Sequence, residues 1–476
     1  MTIRIEKNRV LLIAILALGL FLRIYRLPEL MVFGGDVARD YLEAKNITLE
    51  GKIPLLGSPT SVPWLHQGAF YTYLLGIVLF LARYNPLSGG YFAALTGVLS
   101  IYVIFKLGKL FFSEKAGLWA SFFYGVSPLV VIFDRYPYHQ NLISIFTMLL
   151  FASLYKSLKK PKFFVLSFFV FGLLMQLELS NLVLAPVLAI MVFDYRKEIS
   201  FKNLILCLAA FLFTWIPKII YDIPTGFTQT LGFAAWFLHK LLPVDLINNQ
   251  PGASLPLLER FSILLSYLSR MIVWQSPLIS AILSLGVTAF LLKNFRSCYL
   301  LLLWIFIPLF GFIIQGSPSE SYVPVIFAVF PLGFGYFVSR VKSFKIPIYL
   351  ISIFIGMISV FVLLENNYFV LTGKETNAKN DYNLGPSYRL NTEMAKHIVK
   401  EAKGEKFSII PLGVFGHFPS AKLNLVYLTW YFGNSPSETE EKLKFFVYDN
   451  SNYYTLENSE SVKEFSFMTV VKANED

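Results

Sequence analysis

Eleven apolar runs, separated by short basic connections, constrain this 476-residue chain more than any other feature. A helix needs about 20 apolar residues to cross the hydrocarbon core of a bilayer. Runs of that order lie near 10–27, 91–111, 116–133, 141–156, 163–181, 182–194, 202–221, 271–292, 298–314, 322–338 and 346–364. Only 15% of the residues are charged, against about a quarter in ordinary soluble domains. Lipid is therefore the expected solvent. The net charge of +11 does not point to nucleic acid, because the basic residues cluster between apolar runs. Cys207 and Cys298 fall inside such runs and suggest neither a disulfide framework nor a metal site. The first run follows Arg4, Lys7 and Arg9 and passes into Arg23, Ile24, Tyr25 and Arg26 without a small-x-small cleavage motif. A retained anchor is expected, not a cleaved signal.

Charge asymmetry orients the bundle. The apolar stretch 69–82 is short for a span and reads as re-entrant or interfacial. With it excluded, Lys106, Lys109 and Lys115 share the N-terminal side with Lys156, Lys159, Lys160, Lys162, Arg196, Lys197 and Lys202. Lys293, Arg296, Arg340, Lys342 and Lys345 join them, while the opposite short connections hold only Arg135. The positive-inside rule then puts the N-terminus in the cytoplasm and the C-terminus outside, although Arg23 and Arg26 oppose it for the first helix. The expected architecture is a polytopic α-helical protein of the plasma membrane with about 11 transmembrane helices in 1–364. Outer loops are expected at 28–90 and 222–270, and a small extracytoplasmic α/β domain in 365–476. Within that domain 391–403 and 421–432 read as helices, 407–412 and 445–448 as strands.

On this topology the acids near membrane level converge on one face: Asp36, Asp40, Asp134, Glu178, Asp222 and Glu320. Ionisable groups beside spans are costly, so their default reading is functional. In Gly34-Gly35-Asp36-Val37-Ala38-Arg39-Asp40-Tyr41-Leu42-Glu43, a helix opening at Asp36 puts Asp36, Arg39, Asp40 and Glu43 on one face. That face suits a base or a cation; equally, Asp36 is placed to cap an interfacial helix. The stretch Trp64-Leu65-His66-Gln67-Gly68 offers His66 to a phosphate or to solvent, with its aromatics in an interfacial belt. The turn Asp134-Arg135-Tyr136-Pro137-Tyr138-His139-Gln140-Asn141 concentrates polarity, and Arg135 or His139 suits a phosphate. Asp134 and Arg135 also have a plain reading, pairing with each other or with lipid headgroups.

At these residues the chain resembles the GT-C glycosyltransferases, in particular bacterial relatives of protein O-mannosyltransferases and of the lipid A aminoarabinose transferase. The resemblance rests on the Gly34–Tyr41 segment, Gly57 to Tyr71, Arg135–Asn141 and Gln176-Leu177-Glu178-Leu179-Ser180, with Tyr221-Asp222-Ile223, Tyr322-Val323-Pro324 and Phe330-Pro331 completing it. Three features depart from the family pattern: Val37 stands where a second acid often follows the first, and Glu178 and Ser321 stand near positions often held by His. The tandem tryptophan motif of oligosaccharyltransferases is absent. The resemblance implies a polyprenyl-phosphate monosaccharide donor and inverting, single-displacement transfer to a hydroxyl of a protein, lipid or glycan. It implies Asp36 as general base, Arg39, Arg135, His139 and His66 as phosphate-binding groups, and Asp40, Asp134 and Glu178 at an acceptor or cation site. A divalent cation is left open, and no other cofactor is indicated.

A transporter or flippase of a lipid-linked glycan is the rival reading, kept open by mid-helix prolines such as Pro186 and Pro217. Transporters usually bind substrate near the midplane, between related repeats. Here the acids lie at helix ends, and no repeat is visible. His397 and His417 read as ordinary polar residues of the tail.

Overall fold

The computed structural model describes residues 7–62, 64–241, 255–274, 276–341, 345–372, 384–413, 416, 418–450, 454 and 459–474. Arg4, Lys342 and His417 lie outside the described residues. Helices dominate as far as residue 365, and a four-stranded sheet with two helices follows.

Several helices present apolar side chains on the molecular surface. Phe201–Asp222 exposes Leu204, Leu208, Phe213, Ile216 and Ile220, and Lys345–Glu365 exposes Leu350, Phe354 and Phe361. Such faces are stable only against lipid or another apolar surface, and the protein is a multi-pass membrane protein. By length and apolarity, five described stretches qualify as spans: Leu87–Phe111, Phe201–Asp222, Phe295–Gln315, Glu320–Arg340 and Ile346–Glu365. The bent pair Leu257–Ile272 and Pro277–Lys293 would make a sixth.

Helix breaks divide several of the runs expected as spans. Run 116–133 is cut at Ser127, which is extended before Pro128. Proline disfavours helical backbone in the residue before it. Run 163–181 stops at Leu177, and Glu178 is extended. Three helices begin with 3-10 turns, His139–Leu142, Leu179–Leu184 and Glu320–Ile326. The third turn packs against the other two. The short stretch 69–82 forms the helix Phe70–Leu81. The expected outer loop 222–270 holds two helices, Thr228–Leu241 and Leu257–Ile272, the second starting well before the expected span at 271.

In the tail, helices Tyr388–Ala402 and Leu423–Tyr431 and strands β1 (Ser408–Pro411) and β2 (Leu443–Asp449) match the expected elements. Two further strands, β3 (Ser459–Phe465) and β4 (Met468–Asn474), complete a sheet of order β1-β2-β4-β3. β1 and β2 are parallel, and the other two pairings are antiparallel. Ile398, Ala402, Phe407, Tyr427, Leu428, Phe445 and Val470 are buried in the core that the sheet shares with its helices. This unit sits directly on the segment that carries Asp36. Val32 bridges Ser387, the Tyr388 amide donates to the Met31 carbonyl (2.7 Å), and the rings of Phe33, Tyr41, Tyr388 and Tyr427 pack together.

Candidate functional site

The acidic segment folds as its spacing predicts. Gly34, extended, caps the helix Gly35–Leu49, so Asp36 is a first-turn acid and not the cap. A carboxylate there is favoured by the positive end of the helix dipole. Gly35 is obligatory for packing: a Cβ would lie 1.9 Å from the Ser420 carbonyl oxygen of the C-terminal unit. Asp36 and Asp40 differ sharply in environment, with side-chain exposures of 55% and 1%. Arg39 lies between them; its Nη1 donates to Asp36 Oδ1 (3.0 Å), and its Nε is 4.0 Å from Asp40 Oδ1.

Asp40 takes a hydrogen bond from the Ser58 hydroxyl at Oδ1, while its buried Oδ2 has no partner. Burial raises the Asp40 pKa, against the opposing pull of His139, Ser58 and Arg39. Glu43, one helical turn further on, is pushed up to about 7 by burial and then by the Asp40 charge, with Arg39 opposing. Its Oε2 is also buried without a partner. In a folded chain whose Glu43 pKa lies above the unfolded value, the folded state binds more protons between those two pH values. The Glu43 contribution to stability therefore declines as pH rises from about 4.5 to about 7 and is flat above. Glu43→Gln is expected to flatten the pH dependence of thermal stability in that window. An unchanged slope would show that Glu43 does not titrate there.

A second group stands beside Asp40. Glu178 receives Gln67 Nε2 on Oε1 (2.5 Å) and contacts His139 Nε2 through Oε2 (3.1 Å). Gln67 is a hub: its Oε1 accepts from the Leu179 amide (2.9 Å), and its own amide donates to the Ser58 carbonyl (2.8 Å). Gly68 is tight for a related reason, since a Cβ there would lie 1.8 Å from Gln176 Oε1. Asp40, Ser58, Gln67, Glu178 and His139 thus form one buried polar cluster, with the rings of Tyr71 and Tyr138 packed on His139. A carboxylate fixing one nitrogen of an imidazole leaves the other nitrogen to act on a ligand or a proton.

The loop carrying His66 is held from the helices Phe201–Asp222 and Thr228–Leu241. Buried Lys218 donates to the His66 carbonyl (2.8 Å), and Gln229 accepts from the His66 amide (2.9 Å) while donating to the Trp64 carbonyl (2.7 Å). Asp222 caps the helix that supplies Gln229, accepting from the Gln229 and Thr230 amides at 2.8 and 2.9 Å. His66 itself is half-buried, and burial lowers its pKa.

Two expected site residues, Asp134 and Arg135, bond to the first helix. Asp134 Oδ2 accepts from Arg23 Nε and Nη2 at 2.9 and 2.5 Å, both side chains being buried. Arg23 Nη1 also reaches the carbonyls of Gly19 and Gly125. Arg135 is not a partner of Asp134. Its Nη1 donates to the carbonyls of Leu22, Arg23 and Tyr25 at 3.1, 2.9 and 3.0 Å, and its guanidinium lies 3.8 Å over Tyr368. Last-turn carbonyls of a helix lack intrahelical donors, and Arg135 supplies them for Lys7–Ile24. Of the two basic residues at the end of the first run, Arg23 is thus a buried pair member, while Arg26 is exposed and pairs with Glu29. Glu320, in turn, is paired with Arg270.

Ser58, Gln67 and Lys218 join the site without standing out in the sequence. The segment containing Gln67 was marked by its neighbour His66, but pairing across more than 100 positions left no local signal. Among the described residues no group of three or more His, Cys, Asp or Glu side chains is arranged to hold a metal ion.

This architecture has the GT-C fold. The family model described as dolichyl-phosphate-mannose-protein mannosyltransferase matches residues 66–221, about a third of the chain. The crystal structure of ArnT from Cupriavidus metallidurans bound to undecaprenyl phosphate is similar, with TM-score 0.62 and 13% identity over 98% of this chain and 97% of that one. The Archaeoglobus fulgidus oligosaccharyltransferase tethered to an acceptor peptide has TM-score 0.53 and 10% identity over 91% of this chain and 64% of that one. The archaeal oligosaccharyltransferase AglB from the same organism, in complex with an inhibitory peptide and a dolichol-phosphate, has TM-score 0.50 and 12% identity, covering 93% and 69%. No curated protein matches the chain by sequence.

Proposed function

We propose that the protein is a membrane glycosyltransferase that moves a monosaccharide from a polyprenyl-phosphate donor to an acceptor hydroxyl on the extracytoplasmic side, with inversion. The observation that carries the reading is the contrast between half-exposed Asp36, held by Arg39, and the buried polar cluster behind it. The matched family model and the undecaprenyl phosphate and dolichol-phosphate named for the similar structures support a lipid-linked donor.

In this mechanism the acceptor oxygen attacks the anomeric carbon while Asp36 takes its proton. A positioned base typically contributes about 10²–10⁴-fold. The bond from the anomeric carbon to the phosphate oxygen breaks, and its electron pair leaves with the phosphate. Arg39 and His139, with His66 at the edge, are assigned to the charge that gathers there. Glu178 and Gln67 orient His139, and Asp40 with Ser58 holds the back wall. Asp134 and Arg135 are assigned to the frame that joins the first helix to the bundle, not to substrate.

The reading is tested by offering the protein in liposomes a panel of labelled polyprenyl-phosphate sugars together with membrane-extracted acceptors. Transfer from at least one donor is expected. Vectorial movement of intact donor with no transfer would replace this reading with a flippase.

A further inference from the structure

The C-terminal sheet unit is joined to the acidic segment by a buried amide strut. Asn391, fully buried on helix Tyr388–Ala402, donates Nδ2 to the Phe33 carbonyl (3.0 Å), three residues before Asp36. Its Oδ1 accepts from Asn424 Nδ2 (2.9 Å), on helix Leu423–Tyr431. Both ends of the Asn391 amide are therefore occupied, one toward the acidic segment and one toward the unit. Just ahead of Asn424, the Ser420 carbonyl presses on Gly35, the residue adjoining Asp36. The Leu423 amide donates back to that same carbonyl (3.0 Å), so the turn and the Asn424 helix move together.

We infer that Asn391 and Asn424 are positioning residues for the acid: through the Phe33 carbonyl and the Gly35–Ser420 contact they fix where Asp36 stands. The inference rests on the proposed role of Asp36 and extends it to the tail, making the sheet unit part of the catalytic assembly. The aromatic contacts of Phe33 and Tyr41 with Tyr388 and Tyr427 anchor the two units without reference to the strut. Losing the strut should then loosen the acid without detaching the unit. A displacement of about 1 Å in a catalytic group can lower a rate by about 100-fold.

The test compares Asn391→Leu, which removes both bonds, with Asn424→Ala, which leaves the Phe33 bond in place. Each full-length variant is purified in detergent, and bound undecaprenyl phosphate is quantified to normalise for folded protein. Single-turnover transfer is then measured at saturating donor. Asn391→Leu is expected to slow the step by about 10- to 100-fold at unchanged donor affinity, with Asn424→Ala intermediate. A purely structural role would lower the amount of binding protein and leave the normalised rate intact. Normalised rates within about twofold of the unaltered protein for both variants would overturn the inference. If the unaltered protein transfers nothing from any donor, it is the proposed activity that fails, not the strut.

Discussion

Asp36→Asn is expected to lower transfer by about 10²–10⁴-fold while donor binding is kept. Asparagine keeps the shape of the side chain and an oxygen facing Arg39, but it cannot take a proton from an acceptor. Because Asp36 is half-exposed and makes its described bond only within its own helix, the substitution should leave the fold intact. Asp40 is not expected to replace it as base, because it is buried and bonded to Ser58. Initial rates at saturating donor, measured with donor binding as a control, check the point. A drop in binding with an unchanged turnover per bound donor would move Asp36 from chemistry to recognition.

The second large effect concerns folding. Asp134→Ala leaves Arg23 as a buried cation with no carboxylate, in a pocket where both side chains are almost wholly shielded. Removing one partner of a buried ion pair typically costs about 3–5 kcal/mol, because the remaining charge is left uncompensated. Gly97 fits this spot closely, since a Cβ there would lie 2.5 Å from the Asp134 carboxyl carbon. The expected result is a marked fall in thermal stability in detergent and poor recovery of folded protein. A paired Arg23→Met, Asp134→Leu variant should recover most of that loss, as apolar replacement of buried pairs is often tolerated. Full activity and stability in Asp134→Ala alone would refute the structural assignment.

What was legible in the sequence was local. The i, i+3, i+4, i+7 spacing of Asp36, Arg39, Asp40 and Glu43 is a property of ten consecutive residues, and the helix appears where it implies. The tail helices and the first two strands are similarly marked by local patterns, such as Leu390, Met394, Ile398 and Ala402 at helical spacing and the apolar run in β2. β3 is not, because Ser459–Phe465 is a mostly exposed edge strand bearing Glu460, Lys463 and Glu464 and so lacks an apolar face. The helix breaks were hidden for a related reason: apolar residues flank Ser127 and Glu178 on both sides, so hydropathy runs straight through them. The roles of the polar turn depended on distance in space. Arg23 and Asp134 are 111 positions apart, as are Gln67 and Glu178. Nothing in either neighbourhood says which acid is tied up and which is free.

The half-exposed acid is expected to open to the extracytoplasmic side. Sided thiol labelling measures this directly, in a chain whose two buried cysteines, Cys207 and Cys298, are replaced by alanine and Asp36 by cysteine. An impermeant maleimide added to intact cells is predicted to label position 36. Labelling only after the cytoplasmic face is opened would contradict the orientation and, with it, the reaction assigned to that face.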